Sequence, residues 1–203
     1  AKYMKKFFRK FDRISVSNRF LYKEFSPEIK RVYLTEFGAD TDDFKPRGLP
    51  SKNKNIFGWV GNPERDVKRF SEIRDIFKSI DRDITLKIAT NKSNYNRLEM
   101  LDFYNSIGTL ICFSKSEGTP NPILEASACG RAVLSTKVGN FPVLAGGLRD
   151  QISVSTKSQL KRAIIDMHEN PKKIDRVGRY LHGRIHRVWS WKVKSRNFRK
   201  LFL

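Results

Sequence analysis

The chain has 203 residues, enough for one ordinary domain and an appendage around a real core, and its 39% hydrophobic and 12% aromatic content excludes a charged disordered polymer. No apolar run approaches the roughly 18–20 residues that cross a bilayer, and the two cysteines, Cys112 and Cys129, exclude a disulfide scaffold and suit reduced, buried thiols in a cytoplasm. Lys and Arg number 41 against 21 Asp and Glu, and the net charge of +20 points to a polyanionic partner: nucleic acid, an anionic membrane or a phosphorylated ligand.

The chain begins at Ala1 and not Met, which reads as a fragment, and Met4-Lys-Lys-Phe-Phe-Arg9 is too short and too charged for a signal peptide. Residues 1–30 are dense in Lys, Arg and Phe. Arg13 to Asn18 reads as a short strand running into a helix with a Ser or Asn cap. Arg31 to Thr35 reads as a second strand. Phe37 to Lys54, punctuated by Gly38, Pro46, Gly48 and Pro50, reads as a linker.

Alternation follows. Strands are expected at Asn55–Val60, Ile84–Ala89, Thr109–Ser114, Ala132–Ser135 and Gln151–Val154. Helices are expected at Asp66–Ser79, where Val67, Phe70, Ile73 and Phe77 recur at helical spacing, at Arg97–Ser106, and at Asn121–Cys129, closed by Gly130. Strand–helix alternation implies an α/β fold with a parallel sheet covered on both faces, and the continuous apolar run Thr109–Phe113 fits a strand buried on both sides. From Ser158 the chain reads as helical, with a break at Asn170-Pro171 and a second helix from Lys172 to about Leu203.

The segment Phe113-Ser-Lys-Ser-Glu-Gly-Thr-Pro-Asn-Pro-Ile-Leu-Glu-Ala-Ser-Ala-Cys-Gly130 carries the chemistry. A buried strand ends, a turn carries Glu117-Gly118, and a helix opens through Pro120 and Pro122, which a first turn tolerates. Free amides at such a helix start take anions, and ligands of open α/β sheets sit at the carboxyl ends of the strands. Glu117 and Glu125 can flank that anion site and accept hydrogen bonds from sugar diols. Amides for phosphate and carboxylates for hydroxyls describe a nucleotide sugar.

Glu117-x7-Glu125 in this setting resembles the donor-binding motif of retaining GT-B glycosyltransferases (the "glycosyl transferases group 1" kind). Phe37-Gly-Ala-Asp-Thr-Asp-Asp-Phe-Lys-Pro46 is similar to the segment leading into their C-terminal domain. Trp59-Val-Gly-Asn-Pro-Glu-Arg-Asp-Val-Lys68 is similar to their Val-Gly-Arg…Lys loop. Met100–Ser114 resembles their helix–strand pair, and Trp189-Ser-Trp191 the start of their terminal helix. The resemblance implies a Rossmann-like donor half followed by terminal helices. It implies ribose binding by Glu125, donor-hexose contact by Glu117 as the catalytic carboxylate, and a donor path along Gly118, Thr119, Asn121, Ile123 and Leu124. Arg65 and Lys68 would neutralise the diphosphate without a metal or cofactor, beside Gly61 and Asn62.

Three positions depart from that pattern: Asn62 stands where Arg is usual, Gly108 where Asp is usual, and Gly139-Asn-Phe-Pro-Val143 lacks a carboxylate. The resemblance also implies that residues 1–30 are the remnant of an acceptor domain lying outside this chain. Residues 31–54 are then the leading strand and linker, 55–188 the donor domain, and 189–203 a helix crossing back. The partners implied are a nucleotide-sugar donor, a glycan or lipid-linked acceptor and the absent N-terminal domain.

The plainer readings stand beside these. Arg65 and Lys68 are either phosphate contacts or a solvated face. Asp40-Thr-Asp42 mimics a metal-binding Asp-x-Asp but sits in a Pro/Gly linker, which favours a structural turn. His182 and His186 have metal-ligand spacing, yet Arg184 and Arg187 flank them, which favours a basic helix face. His168 reads as a helix C-terminal residue complementing the dipole, and Trp189 and Trp191 as packing residues. Lys6, Arg9, Lys10 and Arg13 between Phe7, Phe8 and Phe11 suit either an orphaned domain face or a polyanion surface. The rival function is a non-enzymatic basic module for nucleic acid or anionic membrane; a sugar-nucleotide epimerase of related fold is a third. The location expected is cytoplasmic, peripheral to the inner face of a membrane, with the excess charge of residues 1–31 and 172–200 facing anionic lipid.

Overall fold

A computed structural model describes residues 6–202, so the first five residues of the N-terminal segment and Leu203 lie outside it. Strand β1 (Ile14–Val16) leads through Asn18, whose side chain accepts the Leu21 amide, into helix α1 (Arg19–Phe25). Strand β2 (Val32–Leu34) then pairs parallel with β1, Ile14 opposite Val32. Phe8, Leu21 and Phe25 close over Val16, Ile29 and Val32 in a small core of their own.

The main sheet holds β3 (Ile56–Gly61), β4 (Thr85–Thr90), β5 (Thr109–Cys112) and β6 (Ala132–Ser135), all parallel in the order β4-β3-β5-β6. Its helices are α2 (Phe70–Lys78), α3 (Arg97–Asn105) and α4 (Asn121–Ala128). The path from β3 to β4 runs one way along the sheet; the paths from β4 to β5 and from β5 to β6 run the other. Right-handed crossovers therefore put α2 on one face and α3 and α4 on the opposite face. The direction reverses between β3 and β5, and the loops leaving those two strands frame the crevice where ligands of such sheets bind. The inner strands are apolar runs: Phe57, Leu110 and Val133 have no exposed surface, whereas edge strand β4 leaves Ile88 37% exposed.

Helices α5 (Phe141–Ala145), α6 (Arg149–Ile152), α7 (Lys157–Glu169) and α8 (Pro171–Arg184) follow, and α9 (Trp191–Phe202) ends the described chain. Helix α7 packs on α2, and α8 on α4 and β6. Helix α9 runs back beside β2, where Arg13 Nη1 donates to the Leu201 carbonyl at 2.6 Å.

Most expected elements are present, with four differences. The strand expected at Gln151–Val154 is a helical turn, closed by the Ser153 amide on the Arg149 carbonyl, followed by one bridge to Ser135. Ile152 and Val154 are buried there from a turn, so their alternation did not mean a strand. The expected Asp66–Ser79 helix is a 3-10 turn at Asp66–Lys68, then Arg69 at φ 52°, then α2. Arg69 holds that left-handed geometry because its guanidinium is clamped to Glu72 by two 2.7 Å bonds and lies 3.7 Å over the Phe113 ring. The expected helix from Lys172 onward widens to a π turn at Ile185–Trp189 and breaks at extended Ser190, where Ala39 takes its place as partner: its amide donates to the Trp189 carbonyl at 2.8 Å and its carbonyl accepts from the Trp191 amide at 2.9 Å. Gly38 permits this, since a Cβ there would sit 2.5 Å from the Trp191 nitrogen. Helix α5 was not expected at all. Of the two thiols, Cys129 is buried and Cys112 only partly so; both are free.

Candidate functional site

The loops leaving β3 and β5 meet as the topology requires. The Lys115 amide donates to the Val67 carbonyl at 2.8 Å, tying them together. Lys68 reaches across with Nζ 2.7 Å from Glu117 Oε1, and Ser114 Oγ donates to the same oxygen at 2.8 Å. Both partners are largely buried, at 16% and 14% side-chain exposure, and the pair fills the crevice to leave about 10 Å³ beside Trp59, Ser114 and Pro120. Glu117 Oε2 has no protein partner among the described residues.

The turn after Glu117 is held from two other segments. Asn18 Nδ2 donates to the Gly118 carbonyl at 3.3 Å, Thr119 Oγ1 donates to the Ser17 carbonyl at 3.1 Å, and Asn140 Nδ2 reaches both Ser17 O at 2.7 Å and Thr119 Oγ1 at 2.9 Å. Gly139, at φ 51°, lets its loop approach: a Cβ there would lie 2.3 Å from the Gly118 carbonyl. The amides of Gly118, Thr119 and Asn121, at the start of α4, make no hydrogen bond among the described residues, whereas the Ile123 amide is spent on Pro120 O and its side chain is buried in the core.

Glu125 faces a different wall. Its Oε2 accepts from the Tyr104 hydroxyl at 2.6 Å, and its Oε1 has no protein partner among the described residues. Burial raises its carboxyl above the ordinary range, while the Tyr104 hydrogen bond and the Arg97 charge pull it back. It lines a cavity of about 520 Å³ with Leu124, Asn121, Phe37, Tyr95 and Trp191. A second cavity of about 390 Å³, at the ends of β3 and β4, is lined by Gly61, Asn62 and Asn91 and shares Tyr95 and Met100 with the first. The two carboxylates thus lie in two adjoining compartments and not in one.

The other expected residues fall as follows. Asn62 Oδ1 accepts the Glu64 amide at 2.9 Å and shapes the loop. The Arg65 side chain is exposed and has no hydrogen bond or ion pair among the described residues. Asp40 forms a turn, its Oδ1 accepting the amides of Asp42 and Asp43, and Arg97 pairs with Asp40 and Asp43. Among the described residues no cluster of three or more His, Cys, Asp or Glu could hold a metal ion. His182 is not on a free basic face: its Nδ1 lies 2.8 Å from the Ala128 carbonyl. Trp189 is fully buried, and Trp191, 39% exposed, lies edge-on to Phe37 and tilted against Phe198. Tyr95, Arg97 and Tyr104 were not singled out from sequence. For Tyr104 the signal was there: a tyrosine on the apolar face of a helix needs a partner for its hydroxyl.

A family model described as "Glycosyl transferases group 1" matches residues 61–170. The chain belongs to the glycosyl transferases group 1 family. No curated protein matches it in sequence. Among solved structures, a TarM variant from S. aureus in complex with fondaparinux, α-GlcNAc-glycerol and UDP aligns with TM-score 0.82 at 12% identity over 99% of this chain and 46% of its own. HepE from Anabaena in complex with UDP and glucose aligns with TM-score 0.79 at 12% identity over 96% and 64%. The C-terminal domain of a group 1 glycosyl transferase from Francisella tularensis, LpcC, aligns with TM-score 0.63 at 17% identity over 75% and 99%. At these identities the likeness establishes the fold. The chain spans roughly half to two thirds of the length of the first two.

Proposed function

We propose that this chain is the C-terminal, donor-binding half of a retaining glycosyltransferase that moves a hexose from a nucleoside diphosphate sugar to a glycan or lipid-linked acceptor. The observation that carries the reading is the pair of carboxylates around the start of α4, each with one oxygen fastened to protein and the other open, on either side of the unbonded amides of Gly118, Thr119 and Asn121. Glu125 accepts the ribose diol and Glu117 the hexose hydroxyls. Lys68 and the amides balance the diphosphate charge that grows as the leaving group departs, so one lysine and a set of N–H dipoles do the work a metal would otherwise do. Leu124 lines the ribose compartment; Gly61 and Asn62 line the neighbouring one. The match to the Francisella domain over nearly its full length supports the assignment to a C-terminal half, with the acceptor side supplied by an N-terminal domain.

The basic segments outside the site suit an anionic lipid surface, since Phe7, Phe11 and Phe202 are 45%, 52% and 83% exposed among Lys and Arg. Calorimetry with UDP and GDP tests the donor reading: one base is expected to be preferred, with little loss on added salt. No binding at millimolar concentration overturns it. A steep salt-dependent affinity for any nucleic acid would favour the basic-module alternative instead.

A further inference from the structure

We propose that Tyr104 is a positioning residue for Glu125, its hydroxyl fastening one carboxylate oxygen so that the other is presented, charged and fixed, to a ligand diol. This rests on the donor-site reading and goes beyond it.

Tyr104 sits in α3, fully buried, with its ring edge-on to Phe44 at 5.8 Å and to Phe103 at 5.6 Å between centroids. A side chain wedged so tightly fixes the place of its oxygen. That oxygen meets Glu125 Oε2 at 2.6 Å from a neighbouring helix, across the wall of the 520 Å³ cavity. A phenylalanine would fill the same space. The hydroxyl is what the packing does not require, and its one hydrogen bond goes to the carboxylate that opens on the cavity. Glutamate has a long stem with many rotamers, and tethering one oxygen removes that freedom before a ligand arrives.

The titratable groups around Glu125 come from three segments. Arg97 stands on α3, Asp40 on the linker across the cavity, and the Cys129 thiol, kept neutral by burial, just past the end of α4. Burial disfavours the carboxylate; Tyr104 and Arg97 favour it. Removing the hydroxyl therefore leaves the carboxylate both loose and easier to protonate.

The test is calorimetry of the chain with UDP and with 2′,3′-dideoxy-UDP from about pH 5 to 8, for wild type and Tyr104→Phe. Tyr104→Phe is expected to weaken UDP about tenfold near neutrality, to move the acid loss of UDP binding to higher pH, and to leave the dideoxy analogue unchanged. Equal losses for both ligands would mean a packing role and overturn the proposal; so would an unchanged UDP profile. Wild type binding no UDP would overturn the donor-site reading itself. Should Tyr104→Phe not fold, the Tyr104 hydroxyl proton of the wild type decides by NMR: a slowly exchanging resonance that persists in the UDP complex is expected, and a freely exchanging hydroxyl in that complex overturns the proposal.

Discussion

The two halves of the crevice treat the same functional group in opposite ways. Glu117 is neutralised by Lys68 and Ser114 where two loops converge; Glu125 is held by a neutral tyrosine against a helix wall, with burial working against its charge. In both, one oxygen is committed and one is open. The difference teaches that the motif sets positions, while the segments packed against it set the electrostatics. The Glu117 half has a cation, Lys68, already paired with the carboxylate inside the site. The Glu125 half has a fixed neutral donor suited to a diol.

That contrast can be broken from either side. The largest effect is expected at Gly139, which underlies the Glu117–Gly118 turn. Gly139→Ala forces a left-handed residue and a backbone clash, and is expected to cost at least about 2 kcal/mol and lower Tm by about 5 °C in thermal melts. Glu125→Ala is next, expected to weaken UDP and uridine alike by about 2 kcal/mol, roughly 30-fold, in calorimetry. Lys68→Ala is expected to weaken UDP about tenfold while sparing uridine, since the proposed site gives it only the diphosphate to meet. If both variants lost uridine equally, the division into compartments would fail.

Subtler changes sharpen the comparison. Glu125 has a raised pKa in the folded chain, so the folded state holds more protons than the unfolded one above the ordinary glutamate range, and its contribution to stability falls as pH rises through that window. Glu125→Gln, which keeps an acceptor for Tyr104 without the charge, is therefore expected to raise Tm near pH 7 while weakening UDP. A lower Tm would show that the buried charge is better compensated than the geometry indicates. The smallest effect is expected at Arg65, whose exposed side chain has no protein partner among the described residues: Arg65→Ala is expected to change UDP affinity by less than about threefold and leave Tm unchanged.

Much of this was legible in the sequence, because the strongest signals were local. The run Thr109–Phe113, the prolines at Pro120 and Pro122 and the cap at Asn18 each specify their own backbone, and each element is where its residues put it. What was not legible depended on partners distant in sequence. Arg69 breaks the helix expected at Asp66 because Phe113 offers a ring, and Ser190 breaks the last helix because Ala39 supplies hydrogen bonds. The two glutamates were visible as a spacing of eight residues, but their separation into compartments was not, since Lys68 and Tyr104 approach from different loops and helices.

The bonded crossing of Ala39 with Trp189 and Trp191 staples the linker to the start of the terminal helix by two backbone hydrogen bonds. The linker, which joins the β1–β2 pair to the main sheet, and the terminal helix, which packs beside β2, meet at that point, where a Cβ on Gly38 would clash. At the other edge of the pair, the side chains of Asn18, Thr119 and Asn140 bond across Ser17 and Gly118. The pair is therefore fastened to the terminal helix at one edge and to the Glu117–Gly118 turn at the other, so the turn that opens α4 is shaped by residues about 100 positions away in the sequence.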